Sequence, residues 1–342
     1  SGAMENHQLR GVIHLGRGDE RAARDEFLTA IRISVDYVAA LVELMRLCDS
    51  RSERKQAIDE VLSEFKRQVI QGQTLHLLRE YVGQLYSPDE ALQIIEEART
   101  ARAELWTAWY ALIEQLLAMN RVDVALEEAK AAVVRFPLLP GALIDLANVY
   151  RELGRNDDEQ EQLHRALAIN SRSGVTLRKL AEAYERQQKF DLARSMLERA
   201  CQSEPRIASH RGALADYLWR QGEREQAIAT IEQAIKIEPA YEWGWNQLAN
   251  WASLIGQPQL PLEMAREITT IRPKSPQSWL LRAQLLSRFP EHAAECLEAI
   301  RQALQLDPRL VDAHDEHAMF LASCGRFAEA IAACAPDAFA ER

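Results

Sequence analysis

The chain has 342 residues, of which 47% are hydrophobic and 27% are charged, as in folded globular proteins. With 14 glycines, 12 prolines and no low-complexity run, the sequence argues against long disordered segments. The formal net charge of −10 argues against direct binding to nucleic acid, because such binding needs a surplus of lysine and arginine to neutralise phosphates.

Two further features bear on where the protein works. No apolar stretch reaches the roughly 20 residues that span a bilayer. The five cysteines are scattered and include no CxxC pair, which favours reduced thiols in a cytoplasmic protein over a disulfide framework. The residues before Met4, Ser1–Ala3, are typical of a cleavage and cloning remnant, so the natural chain is expected to be able to extend further.

From Met4 onwards the sequence repeats with a period of 34 residues. Alanine recurs at one position of the period, as Ala23, Ala57, Ala91, Ala125, Ala193 and Ala227. A second run of small residues follows seven residues later, and a third position carries leucine followed by alanine. One extra residue enters near "SRFPEH" (287–292), after which the pattern resumes. A period of this length is typical of stacked helical hairpins.

Each period holds two amphipathic helices, as residues 208–241 show. "ASHRGALADYLWRQG" predicts a first helix that ends near Gly222, because glycine tolerates the left-handed conformation at a helix C-terminus. "EREQAIATIEQAIKIEP" predicts a second helix that ends near Pro239, which cannot continue it. In an earlier period, "DSRSERK" (49–55) predicts a polar turn.

These units resemble tetratricopeptide repeats. In that family the first helix carries a bulky residue, a leucine with a small residue, and an aromatic residue; the second carries small residues and a closing proline. One matching unit supplies Leu177, Leu180, Ala181, Tyr184, Ala193, Ala200 and Pro205. About ten units begin at Met4, Val38, Gly72, Trp106, Pro140, Gly174, Ala208, Glu242, Pro276 and Val311. The resemblance implies an all-α, right-handed solenoid, the superhelix of this family.

The units fall into three groups. Residues 4–105 match the family pattern least, with Met45 and Cys48 where small or aromatic residues are expected, whereas 106–275 are regular. The third group is 276–342. At its start, "RPKSPQSWLLRAQLL" (272–286) contains the pattern P-K-x-x-x-x-W-x-x-R, which is similar to the repeat of protein prenyltransferase α-subunits. Residues 276–342 end in "CAPDAFAER", whose proline is expected to leave the last hairpin incomplete and without a polar cap.

Three tryptophans lie close together in "EPAYEWGWNQLANWASLIG". Trp245 occupies the bulky position that Trp109 and Trp279 occupy in their units, so all three are expected in the core. Trp251 is expected to wedge between hairpins. Trp243 lies two residues from Trp245 and therefore on another face of the helix. The sequence leaves two interpretations of Trp243 open, a surface contact and packing on the preceding unit.

In this family, partners usually lie in the concave groove lined by the first helices. The resemblance assigns the predicted protein- or peptide-binding site to Asn148, Arg151, Arg178, Glu182, Asp216, Trp219, Trp243, Asn246 and Asn250. Trp219 is predicted to anchor a partner side chain. The asparagines are predicted to bond an extended peptide backbone through donor and acceptor groups. A solvated face of mixed charge is the alternative.

One subclass of the family grips a C-terminal carboxylate with two lysines, two asparagines and an arginine. The second asparagine of that set would stand about thirty-one residues after the first, but this sequence has Lys179 at that distance from Asn148 and Leu281 at that distance from Asn250. A clamp of that type is therefore not expected.

Signs of catalytic chemistry are missing from the sequence. It contains no GxxxxGK[ST], GxGxxG, GxSxG or HExxH motif, which predicts neither enzyme activity nor a cofactor. His314 and His317 stand three residues apart, but two ligands do not make a metal site. Because they occupy the positions of Trp279 and Arg282 in the preceding unit, they are interpreted as hairpin packing.

The sequence therefore predicts a cytoplasmic, non-catalytic scaffold that binds a protein or peptide and neither nucleic acid nor a membrane directly. The alternative is a sensor or regulatory arm of a larger multidomain protein, either nucleotide-switched or effector-bearing. Two further questions stay open: whether the uncapped C-terminal repeat forms an oligomer, and whether the irregular N-terminal units are the binding surface.

Overall fold

In a computed structural model, the described residues are 2–68, 72 and 74–334, and these form twenty α-helices and no strand. They divide into two compact units, Ser1–Ser171 and Arg172–Arg342. The predicted all-α helical-repeat fold is therefore confirmed. The expected break at the C-terminal end, in residues 335–342, lies outside the described residues.

Unit 1 holds five helical hairpins. Its helices are α1 (Gly2–Gly16), α2 (Glu20–Ile33), α3 (Val38–Arg46), α4 (Arg51–Arg67), α5 (Thr74–Leu85), α6 (Pro88–Ala101), α7 (Trp106–Ala118), α8 (Val122–Arg135), α9 (Pro140–Glu152) and α10 (Asn156–Ile169).

The described residues of unit 2 also form five hairpins. Its helices are α11 (Gly174–Arg186), α12 (Phe190–Ser203), α13 (Ala208–Arg220), α14 (Arg224–Ile237), α15 (Glu242–Leu254), α16 (Leu260–Ile271), α17 (Pro276–Leu286), α18 (Ala293–Leu306), α19 (Val311–Ser323) and α20 (Phe327–Ala333).

The helix boundaries follow the period of the sequence. From α7 to α17, each first helix begins 34 residues after the previous one, at Trp106, Pro140, Gly174, Ala208, Glu242 and Pro276. The next first helix, α19, begins at Val311, one residue later than the period requires. A short 3₁₀ turn at 290–292 lies where the extra residue was predicted. The insertion is absorbed between two helices, which leaves the hairpin intact.

The hairpin of α3 and α4 corrects one prediction. The stretch 49–55 was predicted to be a polar turn, but α4 begins inside it and runs for 17 residues, while α3 has only 9. The side chain of Ser50 accepts a hydrogen bond from the backbone N–H of Glu53, and the Glu53 carboxylate accepts one from the backbone N–H of Ser50. This capping box satisfies N–H groups at the helix start and begins the second helix early.

Small residues at the recurring positions form the contact between helices. Ala125 and Ala193 are fully buried, so helix backbones approach closely at these points. The core of unit 1 also includes the residues that break the family pattern, since Met45 is 4% and Cys48 0% exposed. These two departures from the family pattern are therefore core residues.

In seven of the ten described hairpins, the turn between the two helices uses one residue with positive φ. Gly154, Gly222 and Gly256 have φ values of 68°, 84° and 74°. Two other hairpins place Asn120 (57°) and Gln188 (60°) in the same register. Residues with a Cβ pay roughly 1–2 kcal/mol for this conformation, and asparagine tolerates it better than most. Gln188 is therefore the strained member of the series.

Gln188→Gly is expected to stabilise unit 2 by about 0.5–1 kcal/mol, because the relieved strain exceeds the added backbone entropy of glycine in the unfolded chain. The matched reverse change, Gly222→Gln, is expected to destabilise it by a similar amount, since the space beside Gly222 is open and only φ opposes a side chain. Urea-unfolding midpoints measured by circular dichroism test both. Shifts of the same sign would contradict this role of the turn position.

Candidate functional site

The bulky position of the first helix makes the same hydrogen bond in several hairpins. The ring N–H at this position donates to a backbone carbonyl six residues earlier, as in Trp109 to Ala103 (2.9 Å), Trp245 to Pro239 (2.8 Å), Trp279 to Pro273 (2.9 Å) and His314 to Pro308 (2.9 Å). Trp109 and Trp245 are each 8% exposed, and Trp279 is half-buried against the core. The core prediction is confirmed for Trp109 and Trp245. Trp279 and His314 make the same hydrogen bond but are only half-buried.

The two other tryptophans of α15 differ in exposure. Trp251 is 3% exposed, which confirms the predicted wedge between hairpins. Trp243 remains 38% exposed, and its ring lies beside Gly212 and Tyr241. A Cβ on Gly212 would come within 3.1 Å of that ring and 2.3 Å of the Tyr241 hydroxyl. Trp243 therefore combines both alternatives, since it packs on the preceding unit and still presents a surface.

Trp219 has a structural contact that the sequence did not reveal. It is half-buried, and its ring stacks on Trp251 with centroids 4.8 Å apart and planes 8° from parallel. The guanidinium of Arg224 lies 5.6 Å from the ring centroid. The side chain predicted to anchor a partner thus helps to hold α13 against α15, and its removal would alter the scaffold as well as the surface.

Charged residues also connect the first helices of unit 2. Arg220 of α13 pairs with Asp216 one turn earlier at 3.0 Å and with Glu185 of α11. The hydrogen bond that Arg220 donates to Glu185 is the main cause that raises the pKa of Arg220. Asp216 is therefore engaged in a bridge across the hairpins. Sequence reasoning missed Arg220, although its spacing of four residues from Asp216 was a usable signal.

Arg178 and Glu182 lie one turn apart on α11. Arg178 is half-buried, and one Nη lies 3.5 Å from the carbonyl oxygen of Ser209 on α13. Its Nε is buried without a hydrogen-bond partner among the described residues. Glu182 is exposed. Burial raises the pKa of the nearby Tyr241 hydroxyl, and the charge of Arg178 opposes that increase.

The predicted asparagines lie in two different units. Asn246 and Asn250 of α15 are both exposed, one turn apart, on the helix that carries Trp243. In unit 1, Asn148 of α9 is half-buried and has an interaction of its own, and Arg151 pairs with the adjacent Glu152 at 2.9 Å. We call Arg178, Glu182, Asn246 and Asn250, together with Trp243, the first-helix face of unit 2.

A second surface, which sequence reasoning missed, lies on the first helices of unit 1. Tyr110 of α7 has its ring centroid 5.8 Å from that of His76 on α5 and 5.8 Å from that of Trp106 at the start of α7. Glu80 and Glu114 lie one turn along the same helices from His76 and Tyr110. We call these five residues the aromatic–acidic cluster. The period signalled it, because His76 and Tyr110 share the register of Arg178.

No group of three or more His, Cys, Asp or Glu side chains converges as a metal site within residues 2–68, 72 and 74–334. No helix in that part is long and apolar enough to cross a membrane. All five cysteines are free, and burial raises the pKa of the Cys296 thiol to about 12.

Comparison with known proteins relates the chain to a protein family. The tetratricopeptide repeat family model matches residues 110–173 and 178–242. The crystal structure of MamA is 17% identical, with a TM-score of 0.38, and the match covers 50% of this chain and 96% of MamA. TTC0263, a thermophilic tetratricopeptide repeat protein of Thermus thermophilus, is 23% identical, with a TM-score of 0.44 and coverage of 53% and 98%. No curated protein matches the sequence significantly.

Proposed function

Because this chain carries tetratricopeptide repeats, we propose that it is a non-catalytic scaffold that binds a protein segment along the first-helix face of unit 2. The observation that carries the proposal is the pair of exposed amides on α15. Asn246 and Asn250 stand one turn apart beside the partly exposed ring of Trp243. An amide side chain offers a donor and an acceptor at once, as a peptide backbone requires.

The neighbouring contacts support a preformed face. The bridge from Glu185 through Arg220 connects α11 to α13, and the stacked rings of Trp219 and Trp251 connect α13 to α15. Helices that are already fixed relative to one another lose little further entropy when a partner binds. In this proposal Trp219 and Asp216 hold the face in place, while Arg178, Glu182, Asn246 and Asn250 meet the partner.

The charges of the face bear on how binding depends on salt. Arg178 and Glu182 have opposite charges and lie on adjacent turns of α11. A partner that meets both signs gains less from long-range attraction than one that neutralises a run of phosphates. Binding is therefore expected to depend only moderately on salt. Asn148 and Arg151 of unit 1, and the cytoplasmic location, remain predictions from the sequence.

The test is a comparison of two variants against a partner isolated by affinity capture from native lysate. The double variant Asn246→Ala, Asn250→Ala is expected to lose about 1 kcal/mol for each hydrogen-bonding side chain, or roughly thirtyfold in affinity together. Both side chains are exposed, so the fold is expected to stay intact. Isothermal titration calorimetry measures the loss.

The matched control is Glu198→Ala on the second helix α12. Glu198 pairs with Arg194 at 3.0 Å, and an exposed pair of this kind contributes little to stability. Affinity equal to wild type is expected for this variant. If the double asparagine variant also binds like wild type, the first-helix face of unit 2 is not the binding surface, and the proposal fails.

A further inference from the structure

The aromatic–acidic cluster of unit 1 combines ring faces with negative charge. His76, Trp106 and Tyr110 bring three rings together, with successive centroids 5.8 Å apart and planes tilted by 34° and 36°. Tyr110 and Trp106 are half-buried, and His76 is exposed. Aromatic rings present a negative face, and a cation within about 6 Å of the ring centroid is attracted to it.

The charges around Tyr110 are mostly acidic. The charges that act on its hydroxyl are those of Glu114 on its own helix, Asp145 on α9, and Glu80 and Arg79 on α5. The Glu80 carboxylate also lies 3.6 Å from Nε2 of His76. Burial is the largest cause that raises the pKa of the Tyr110 hydroxyl, and the charges of Glu114 and Asp145 follow, ahead of the opposing Arg79. Three carboxylates against one guanidinium leave a negative potential at the rings. The net charge of −10 for the whole chain has the same sign.

The position of Trp106 is fixed before any ligand arrives. Its indole N–H donates a 2.8 Å hydrogen bond to Asp145, whose side chain is buried on α9. The ring also lies against the backbone of Gly141, where a Cβ would come within 2.6 Å of it. Because two contacts with α9 hold the Trp106 ring in place, this ring needs little reordering when a ligand binds.

We propose that the aromatic–acidic cluster binds the cationic head of an arginine or lysine side chain in a basic segment of a partner protein. The head lies against the rings of Tyr110 and Trp106, and the carboxylates of Glu80 and Glu114 flank it. The ring faces and the carboxylates both attract positive charge, so both favour a bound cation. The proposal concerns unit 1 and does not depend on the first-helix face of unit 2.

The test uses a defined probe, a dye-labelled peptide of repeated Gly-Ser-Arg triplets, with the full-length chain. Fluorescence anisotropy gives its affinity for wild type, Tyr110→Leu and Tyr110→Phe. Loss of the ring in Tyr110→Leu is expected to weaken binding at least about threefold, while Tyr110→Phe keeps wild-type affinity. Glu114→Gln is expected to weaken it about twofold to fivefold. Circular dichroism confirms that each variant is folded.

Matched controls separate the site from general attraction to an acidic protein. Phe190→Leu removes an exposed ring from α12 of unit 2 and is expected to leave the affinity unchanged. The same peptide with neutral citrulline in place of arginine is expected not to bind. A further readout labels the chain with fluorotryptophan, and comparison with Trp106→Phe identifies the fluorine resonance of Trp106. This resonance is expected to move as the peptide saturates the protein.

Several results would overturn the proposal. One is binding of the citrulline peptide, or of a glutamate counterpart, as tightly as the arginine peptide. Another is an equal loss for Phe190→Leu and Tyr110→Leu, or no loss for either, which would show non-specific charge attraction. A Trp106 resonance that ignores the peptide, or that moves only with protein concentration as in self-association, would also contradict it. None of these results bears on the asparagine test of unit 2.

Discussion

Trp245→Ala is expected to destabilise unit 2 by about 3–5 kcal/mol, as buried tryptophan-to-alanine changes do. The side chain is 8% exposed, and its indole N–H donates to the carbonyl oxygen of Pro239 at 2.8 Å. Alanine removes the ring, leaves a cavity between helices and leaves that carbonyl without its partner. Urea unfolding followed by far-ultraviolet circular dichroism measures the loss as a lower midpoint.

Trp243→Ala is the matched control, two residues away on the same helix. Its ring is 38% exposed and rests on Gly212 and Tyr241, so its removal is expected to cost about 1 kcal/mol. The pair tests the assignment of faces on α15, since the two changes delete the same atoms. Equal losses of stability would show that Trp243 is as much a core residue as Trp245.

Glu295→Gln is expected to destabilise the protein by about 2 kcal/mol near neutral pH. Arg266 donates two hydrogen bonds to the Glu295 carboxylate, at 2.8 and 2.6 Å, and Arg282 donates a third at 2.5 Å. The hydrogen bonds from Arg266 are the main cause that lowers the pKa of Glu295 from 4.5 to about 2. Glutamine keeps the shape but loses the charge that faces two guanidinium groups.

The pH dependence follows from the sign of that shift. A carboxyl group whose pKa is lowered on folding contributes stability that is fully present above 4.5 and is lost as the pH falls towards about 2. The difference in urea midpoint between wild type and Glu295→Gln is therefore expected to be largest near neutral pH and to shrink in acid. A difference that stays constant across this range would contradict the role of the charge.

Glu329→Gln gives the matched comparison for a pair on the surface. Glu329 accepts two hydrogen bonds from Arg326, at 2.8 and 2.6 Å, with both side chains exposed. Solvent screens such a pair, so the change in midpoint is expected to be much smaller than for Glu295→Gln. An equally large effect would mean that partial burial does not increase the stability contributed by the hydrogen bonds between Glu295 and its two arginines.

The repeat could be read from the sequence because its cause is local. A small residue every 34 positions allows two helices to touch, and a glycine or proline at a fixed distance ends many of the helices. These requirements predicted the hairpins, the single inserted residue before α18 and the core positions of Trp109 and Trp245. The capping residues Ser50 and Glu53 were equally local, and their spacing of three residues was the signal that would have placed the start of α4.

The surfaces were decided by the tertiary structure. Nothing in the period shows that Trp219 meets Trp251, that Arg220 reaches Glu185 on another hairpin, or that Tyr110 lies between His76 and Trp106. Each of these contacts depends on the offset between neighbouring first helices and on side-chain rotamers. A sequence period constrains neither of these, because it specifies which residues share a register and not which side chains touch. The sequence by itself therefore determined a stack of helical hairpins and their cores, and only the packing of one hairpin on the next decided which of the predicted site residues are exposed and which are engaged within the protein.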